Sequence, residues 1–301
     1  MDTSFEGAHA LPIYKQSYRT YDGEVRSHFR GWVIIKQECR VLIRTRMFVG
    51  LIILGYMHVC MRILQVVAFD TLSSSPRSPI TQMLREVAMF TVNSTTFFDF
   101  LRMQSGMVFL AAILAGAGMI CDDYKNNLME VYFSKPMTWR DYVLGKTMTL
   151  VIIGLAFTAI PGVFLVLLHN MMSASLATLK ETYLLPVSIT VFSLALVVPC
   201  ALGVLACSAT SSSQRYASIA VFMVLFGDLT IGRVLPDLLH EQSYAIIAFP
   251  LAINRVGEML FSTKRPMFDL SWQWSAVYIG VVCVLCLWLI CSKVRRSEIA
   301  A

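Results

Sequence analysis

Six long apolar runs dominate this chain of 301 residues. Crossing the hydrocarbon core of a bilayer takes about 20 consecutive, mostly apolar residues in a helix. The runs that approach or exceed this length are 47–68, 105–121, 142–168, 183–207, 216–235 and 274–291. Only 15% of the residues are charged, whereas soluble domains carry about 25%. The sequence therefore predicts an all-α integral membrane protein with six transmembrane helices, residues 47–301 forming the transmembrane domain.

Basic residues are distributed unequally between the two sides of the predicted membrane. Six spans place both termini on one side, which carries sixteen basic residues. These are Lys15, Arg19, Arg26, Arg30, Lys36, Arg40, Arg44, Arg46, Lys125, Lys135, Arg140, Lys146, Arg215, Lys293, Arg295 and Arg296. The other side carries eight. Because lysine and arginine are enriched on the cytoplasmic side, we expect a multi-pass protein of the cytoplasmic (inner or plasma) membrane with both termini in the cytoplasm.

The same distribution argues against nucleic-acid binding. The net charge of +6 comes mainly from residues beside apolar runs, where topology accounts for it. The first apolar run begins only at Met47, behind a charged segment, so no secretory signal peptide is expected. The five histidines show no pair at i, i+4 and no neighbouring carboxylate pair, so the sequence predicts neither a metal site nor acid–base catalysis.

Residues 1–46 form a predicted cytoplasmic arm that contains an amphipathic helix. Between Glu24 and Arg46, apolar and basic residues recur on separate helical faces. The apolar face comprises Trp32, Ile35, Cys39, Leu42 and Ile43, and the basic face comprises Arg26, Arg30, Arg40 and Arg44. Such a helix is expected to lie at the bilayer interface, with its cations toward anionic lipid headgroups. A simple positively charged anchor for the first span is the alternative.

The connection between the fifth and sixth spans, Pro236–Gln273, is the longest predicted outer loop. Its apolar run Tyr244–Ile253 is too short to cross a bilayer and contains Pro250. We therefore expect a partly re-entrant or interfacial element in this loop.

The segment between the second and third spans has an unusual local pattern. Asp122 and Asp123 end the apolar run, and the following residues favour a short helix with Leu128, Val131 and Tyr132 on one side. Pro136 then disfavours helical backbone at the preceding residue. Thr138 and Asp141 form a Thr-x-x-Asp capping pattern that begins the next helix. The sequence thus predicts a short helix, a sharp break and a new helix at the cytoplasmic surface.

These residues resemble the signature of small permease subunits of ATP-binding-cassette exporters, the type-two export class. The resemblance lies in the acidic pair, the Asn-rich turn, Leu-Met-Glu, and then Ser-Lys-Pro-Met-Thr-Trp-Arg-Asp-Tyr-Val-Leu-Gly-Lys. Ile34-Ile35-Lys36-Gln37-Glu38-Cys39-Arg40 is similar to the Lys-Glu-x-Arg pattern of the family's amphipathic helix, represented here by Lys36, Glu38 and Arg40. Two departures are that Asn127 replaces the usual glycine and that Gln37 separates Lys36 from Glu38.

The resemblance implies a dimerising permease subunit that works with a separate ATPase subunit, exporting a hydrophobic or amphipathic substrate. The short helix, about Tyr124–Phe133, is then a coupling helix that docks on the ATPase. Lys125, Glu130 and Tyr132 are its expected surface contacts, and Asp122 and Asp123 orient it. The remaining residues expected at this site are Tyr124, Asn127, Ser134, Lys135 and Pro136.

The chain carries no ATPase motif of its own. Gly145-Lys146-Thr147 copies the end of a phosphate-binding loop, but the glycine required before the four intervening residues is Arg140 here. We therefore expect no enzymatic activity in this chain, with ATP and Mg²⁺ bound by the partner ATPase.

Charged residues inside spans suggest a different class of function. Arg62 in the first span and Asp228 in the fifth are costly in lipid and are predicted to pair with each other. A secondary transporter or channel that uses this pair, without an ATPase, is one alternative. A non-transporting anchor or assembly factor that recruits a soluble partner through residues 122–141 is another.

Overall fold

The computed structural model describes residues 30–73, 92–134, 137–173, 180, 182–240, 247–263 and 271–300. These ranges are predominantly helical and contain no strand, which confirms the all-α prediction. The helices are α1 (Gly31–Arg44), α2 (Arg46–Ser73), α3 (Ser94–Gly116), α4 (Cys121–Lys125), α5 (Leu128–Phe133), α6 (Trp139–Phe157), α7 (Ala159–Ser173), α8 (Leu185–Thr210), α9 (Gln214–Leu239), α10 (Phe249–Leu260) and α11 (Trp272–Ala300).

Six segments of the described chain are long and apolar enough to cross a membrane, as predicted. They are Arg46–Thr71, Ser94–Lys125, Trp139–Ser173, Leu185–Thr210, Gln214–Pro236 and Trp272–Ser297. The second segment begins well before the predicted residue 105. Asp99 and Arg102 lower the local hydropathy there, but both side chains are exposed while Phe100 and Leu101 are buried. In this part of the helix the spacing of buried and exposed side chains is helical, although the mean hydropathy is low.

The third span consists of two helices, α6 and α7, which meet at Thr158. Pro161 follows the break by three residues, and a proline clashes with the carbonyl group four residues before it and lacks an N–H. The Thr158 hydroxyl and the Thr158 N–H both donate to the Gly154 carbonyl, at 2.9 and 3.1 Å, at the end of α6. Pro161 therefore accounts for the break between the two helices of the third span.

Helix α8 lies at the centre of the bundle and packs against α3, α6, α7, α9, α10 and α11. Its side chains Leu196, Leu202 and Leu205 are almost completely buried. Helices α2, α9 and α11 lie outside and expose large apolar side chains. Examples are Met57, Met61, Leu64, Phe222, Met223, Val224, Val284, Leu285 and Trp288. Acyl chains can cover such a surface at no cost, which is the arrangement expected of a membrane-spanning bundle.

Helix α10 lies in the connection between the fifth and sixth spans. It begins at Phe249 with Pro250 in its first turn, where a missing N–H costs nothing. Its 12 residues are too few to cross a bilayer, and it packs against α8, α9 and α11. Residues 244–246 of the predicted re-entrant run lie outside the described residues, and the depth of α10 in the bilayer stays a prediction.

The two ends of α8 separate the two faces of the bundle. Near its end, Ser208 contacts the backbone of Ile120 and Cys121. At its start, the Ser188 hydroxyl donates to the Leu260 carbonyl at 3.2 Å. The connection that contains α4 and α5 therefore lies at the opposite end of the bundle from residues 260–262.

With the cytoplasmic orientation predicted from the basic residues, a cysteine placed at position 130 is expected to be protected in intact cells. A cysteine at position 262 is expected to react with a membrane-impermeant maleimide. The measurement needs a background lacking the native cysteines, and permeabilised cells provide the control in which both positions react. Ready labelling at position 130 in intact cells would reverse the orientation.

Candidate functional site

The predicted coupling segment is two short helices rather than one. Helix α4 ends at Lys125 and α5 begins at Leu128, with Asn127 between them at φ 54° and ψ 27°. Glycine and asparagine are the residues that most readily adopt this left-handed conformation. The single helix expected over about Tyr124–Phe133 is therefore wrong. The same geometry explains how asparagine can stand at position 127, where the resembling family usually has glycine.

Contacts from α8 and α11 hold helix α4 in place. The Ser208 hydroxyl oxygen on α8 accepts hydrogen bonds from the backbone N–H groups of Ile120 and Cys121, at 3.1 and 3.2 Å. The Tyr124 hydroxyl lies 2.7 Å from the Ser297 hydroxyl and 3.2 Å from the Lys293 carbonyl on α11. Both ends of α4 thus form hydrogen bonds with membrane-spanning helices. This fixed position distinguishes the segment from an ordinary solvated loop.

The start of α6 confirms the predicted capping pattern. The Thr138 hydroxyl oxygen accepts from the Asp141 N–H at 3.4 Å, and an Asp141 carboxylate oxygen accepts from the Thr138 N–H at 3.2 Å. Lys135 and Pro136 lie outside the described residues. Helix α5 ends before them at Phe133, followed by exposed Ser134.

A buried ion cluster joins three elements of this site. The Lys146 Nζ atom on α6 lies 2.5 Å from a carboxylate oxygen of Glu38 on α1 and 2.7 Å from one of Asp123 on α4. The Tyr142 hydroxyl donates to the same Asp123 oxygen at 2.7 Å. The Lys146 side chain is only 1% exposed, so the low local dielectric strengthens these interactions. The cluster therefore links the amphipathic helix, the coupling segment and the third span.

Close backbone packing brings α1 near enough to α6 for this cluster. A Cβ atom at Gly145 would lie 3.1 Å from both the Gly31 carbonyl oxygen and the Ile34 Cβ atom. Any larger residue at position 145 would push the two helices apart. Gly145, Lys146 and Thr147 all lie within α6, so they do not form a phosphate-binding loop. Gly145 allows α1 and α6 to approach closely, and Lys146 neutralises the carboxylates of Glu38 and Asp123.

Aromatic contacts extend the cluster to α5. The Tyr132 ring packs 5.5 Å from the Tyr142 ring, measured between centroids. Burial raises the pKa of Tyr132; the nearby Lys146 ammonium opposes this shift, and the Asp123 and Glu38 carboxylates reinforce it. The Tyr132 hydroxyl is therefore neutral near pH 7. Tyr132, expected to be a partner contact, instead lies half-buried between α5 and the cluster.

The outer surface of α4 and α5 is exposed and partly apolar. We call it the coupling surface; it comprises Lys125, Asn127, Leu128, Glu130 and Val131, all of which are exposed. The Val131 side chain is 53% exposed, and Met129 on the other side of α5 is buried. Exposed apolar side chains on a short helix rimmed by charges are typical of a protein-binding surface.

The face that α1 presents to the bundle differs from the predicted apolar face. Ile35 and Leu42 are buried as expected, but Trp32 and Ile43 are exposed at 60% and 61%. The buried face instead comprises Gly31, Ile34, Ile35 and Leu42, with Glu38 partly buried on the same side, because Gly145 allows close contact there. Lys36 and Arg40 are exposed, and of the three residues of the Lys-Glu-x-Arg resemblance only Glu38 enters the cluster.

The predicted ion pair between Arg62 and Asp228 is wrong. The Arg62 guanidinium donates to the Gln65 side chain at 2.7 Å. An Asp228 carboxylate oxygen accepts from the Phe249 N–H at 2.5 Å, which caps the start of α10. Helix α2 packs mainly against α3 and α7, whereas α9 packs mainly against α8 and α10. The two charges therefore lie on helices with different main partners. The alternative of a secondary transporter depended on an ion pair between Arg62 and Asp228, which the structure does not contain.

The effects of Arg62→Ala and Asp228→Ala on the free energy of unfolding are therefore expected to add, within about 0.5 kcal/mol. Loss of the Asp228 cap is expected to cost about 1 kcal/mol. Chemical denaturation of the purified protein in detergent, for the two single variants and the double variant, measures the coupling. A coupling energy well above 0.5 kcal/mol would show that the two charges do interact.

Two residues at the centre of the cluster, Lys146 and Tyr142, are not among the predicted site residues. In the sequence, Lys146 stands out only within the family resemblance and at the end of an incomplete phosphate-binding motif. The available signal was a lysine inside an apolar run, because such a residue needs a charged partner. Its partners lie 108 and 23 positions away in the chain, and no periodicity connects them.

Comparison with known protein families supports the family resemblance of the sequence. Residues 32–244 match the model of the ABC-2 family transporter protein, which includes α1, the coupling surface and five of the six spans. A search of curated proteins found no match. The match covers most of the chain and includes both segments that carry the resemblance. The chain belongs to the ABC-2 family of transporter proteins.

Proposed function

We propose that this chain is the permease subunit of an ATP-driven exporter of hydrophobic or amphipathic molecules. A separate ATPase subunit docks on the coupling surface and holds the ATP and Mg²⁺. The observation that carries the proposal is the ion cluster of Lys146, Glu38 and Asp123, because it connects that surface to the third span through short, buried contacts. A surface that only recruits a partner does not need such a connection.

In the proposed mechanism, closure of the ATPase on ATP moves α5 and α4 as one body. Asp123 transmits this movement to α6 through Lys146, and Glu38 transmits it to α1. Tyr124 passes it to α11 through Ser297. A displacement of one short element therefore reaches three helices, which can tilt together and open a path across the membrane.

The exposed apolar surfaces of α2, α9 and α11 support a second permease subunit in the same complex. Their exposed apolar side chains can contact lipid as well as another copy or a related chain. A pore between two subunits then places a path along the interface, where each subunit contributes one wall.

Co-expression with an ATP-binding-cassette ATPase encoded beside this chain tests the proposal. We expect the two polypeptides to co-purify and the reconstituted complex to hydrolyse ATP faster than the ATPase alone. A cysteine at position 131 is expected to cross-link to the ATPase, whereas one at position 215, exposed at the same end of the bundle, provides the control. Absence of both co-purification and ATPase stimulation would favour the anchor or assembly-factor alternative.

A further inference from the structure

A cavity of about 340 Å³ lies between α8, α9, α10 and α11. Its walls are almost entirely apolar, with Val204, Leu225 and Val282 on three of the helices. Its volume falls within the usual range for small-molecule sites, about 300–1,000 Å³. The cavity is therefore large enough for a compact apolar group.

Among the described residues that line the cavity, Asp228 is the one that carries a charge. It lies roughly 21 Å along α9 from Gln214, at 1.5 Å per residue, and so near the end of the cavity remote from the coupling surface. One of its carboxylate oxygens accepts from the Phe249 N–H. Among the described residues, no lysine, arginine or histidine forms an ion pair with it.

A carboxylate on an apolar wall selects the charge of a ligand. A cation placed against it regains the electrostatic stabilisation that the surroundings do not supply, while an anion of the same size is repelled. The Tyr278 side chain lies on the wall beside Asp228 and adds an aromatic ring and a hydroxyl group. Aromatic faces also favour cations.

We propose that this cavity binds amphipathic organic monocations, with the positive centre against Asp228 and the apolar groups between α8 and α11. This proposal names the substrate class of the proposed exporter and therefore rests on the proposed function. Binding itself needs no ATPase and can be measured without one.

Two ions of matched size and opposite charge provide the test. The full-length protein in phosphatidylcholine nanodiscs is titrated with tetraphenylphosphonium and, separately, with tetraphenylborate, and binding to empty nanodiscs is subtracted. We expect saturable binding of the phosphonium and none of the borate. Asp228→Asn keeps an oxygen acceptor for the Phe249 N–H but removes the charge, and it is expected to weaken phosphonium binding by at least about tenfold.

A second variant fills the cavity without changing its charge. Gly203 lies on the cavity wall, and a Cβ atom there would have no heavy atom within 4 Å, so leucine can extend into the open space. Gly203→Leu is expected to abolish binding. Gly280→Leu is the matched control, because Gly280 also has open space at its Cβ position but does not line the cavity. Val282→Trp is a further occluding variant if Gly203→Leu does not fold.

Each outcome is decisive. Equal affinity of wild type and Asp228→Asn for the phosphonium, or equal binding of the two ions, overturns the charge selection. Undiminished binding in folded Gly203→Leu or Val282→Trp overturns the location. Saturable, charge-selective binding in a protein that fails to stimulate any ATPase confirms the site and contradicts the proposed function. Stimulation of the ATPase without binding supports the proposed function and overturns the site.

Discussion

Replacing Lys146 with methionine is expected to lower the free energy of unfolding by about 3–5 kcal/mol. The substitution keeps most of the side-chain volume but leaves Asp123 and Glu38 without their cation. Asp123 is 9% exposed, so water cannot compensate its charge. Chemical denaturation of the purified protein in detergent measures the loss. If α1, α4 and α6 move together as proposed, we also expect the variant to lose stimulation of the ATPase.

Two controls separate this effect from a general cost of removing a lysine. Lys36→Met removes an exposed lysine from α1 and is expected to change stability by less than about 0.5 kcal/mol. Combining Lys146→Met with Asp123→Asn and Glu38→Gln is expected to recover part of the loss, since no charge is then left unpaired. If Lys146→Met and Lys36→Met unfold alike, the cluster does not stabilise the protein.

The second large effect is expected at the coupling surface. Reversing Glu130 to arginine changes an exposed charge beside Val131 and leaves the ion cluster intact. Charge reversal in an interface costs several kcal/mol of binding, so ATPase stimulation at a fixed subunit concentration is expected to fall at least about tenfold. The free energy of unfolding is expected to stay within about 0.5 kcal/mol of wild type. ATP hydrolysis by the reconstituted complex is the measurement.

Arg215→Glu is the matched control for this experiment. Arg215 is exposed in the first turn of α9, at the same end of the bundle but outside the coupling surface. It is expected to leave ATPase stimulation unchanged. Equal losses in the two variants would indicate a nonspecific response to charge, and full activity of Glu130→Arg would place the partner elsewhere.

The six spans and the start of α6 could be predicted because each depends on neighbouring residues. Apolar length determines a span, and Thr138 and Asp141 are only three residues apart. The break at Asn127 was also within reach, since adjacent asparagines after a short helix favour a left-handed turn. The apolar spacing of Leu128, Val131 and Tyr132 favours a continuous helix, but the left-handed turn at Asn127 divides it.

The ion cluster and the Asp228 contact depend on how distant helices pack. Glu38 meets Lys146 only because Gly31 and Gly145 let two helices approach closely. Pairing Arg62 with Asp228 assumed that any two opposite charges within a membrane find each other. Asp228 instead accepts from a backbone N–H at the start of α10, a partner that charge complementarity alone does not reveal.

The last helix has a mechanical consequence. Helix α11 is continuous over 29 residues, roughly 43 Å at 1.5 Å per residue. Tyr278 near one end lines the cavity, and Ser297 near the other holds Tyr124 of the coupling segment. If α11 pivots about its contact with α8, widening the cavity at one end swings the other end in the opposite direction. Movement of α11 as a rigid body can therefore transmit the filling of the cavity to the opposite face of the membrane without any change in the helix itself.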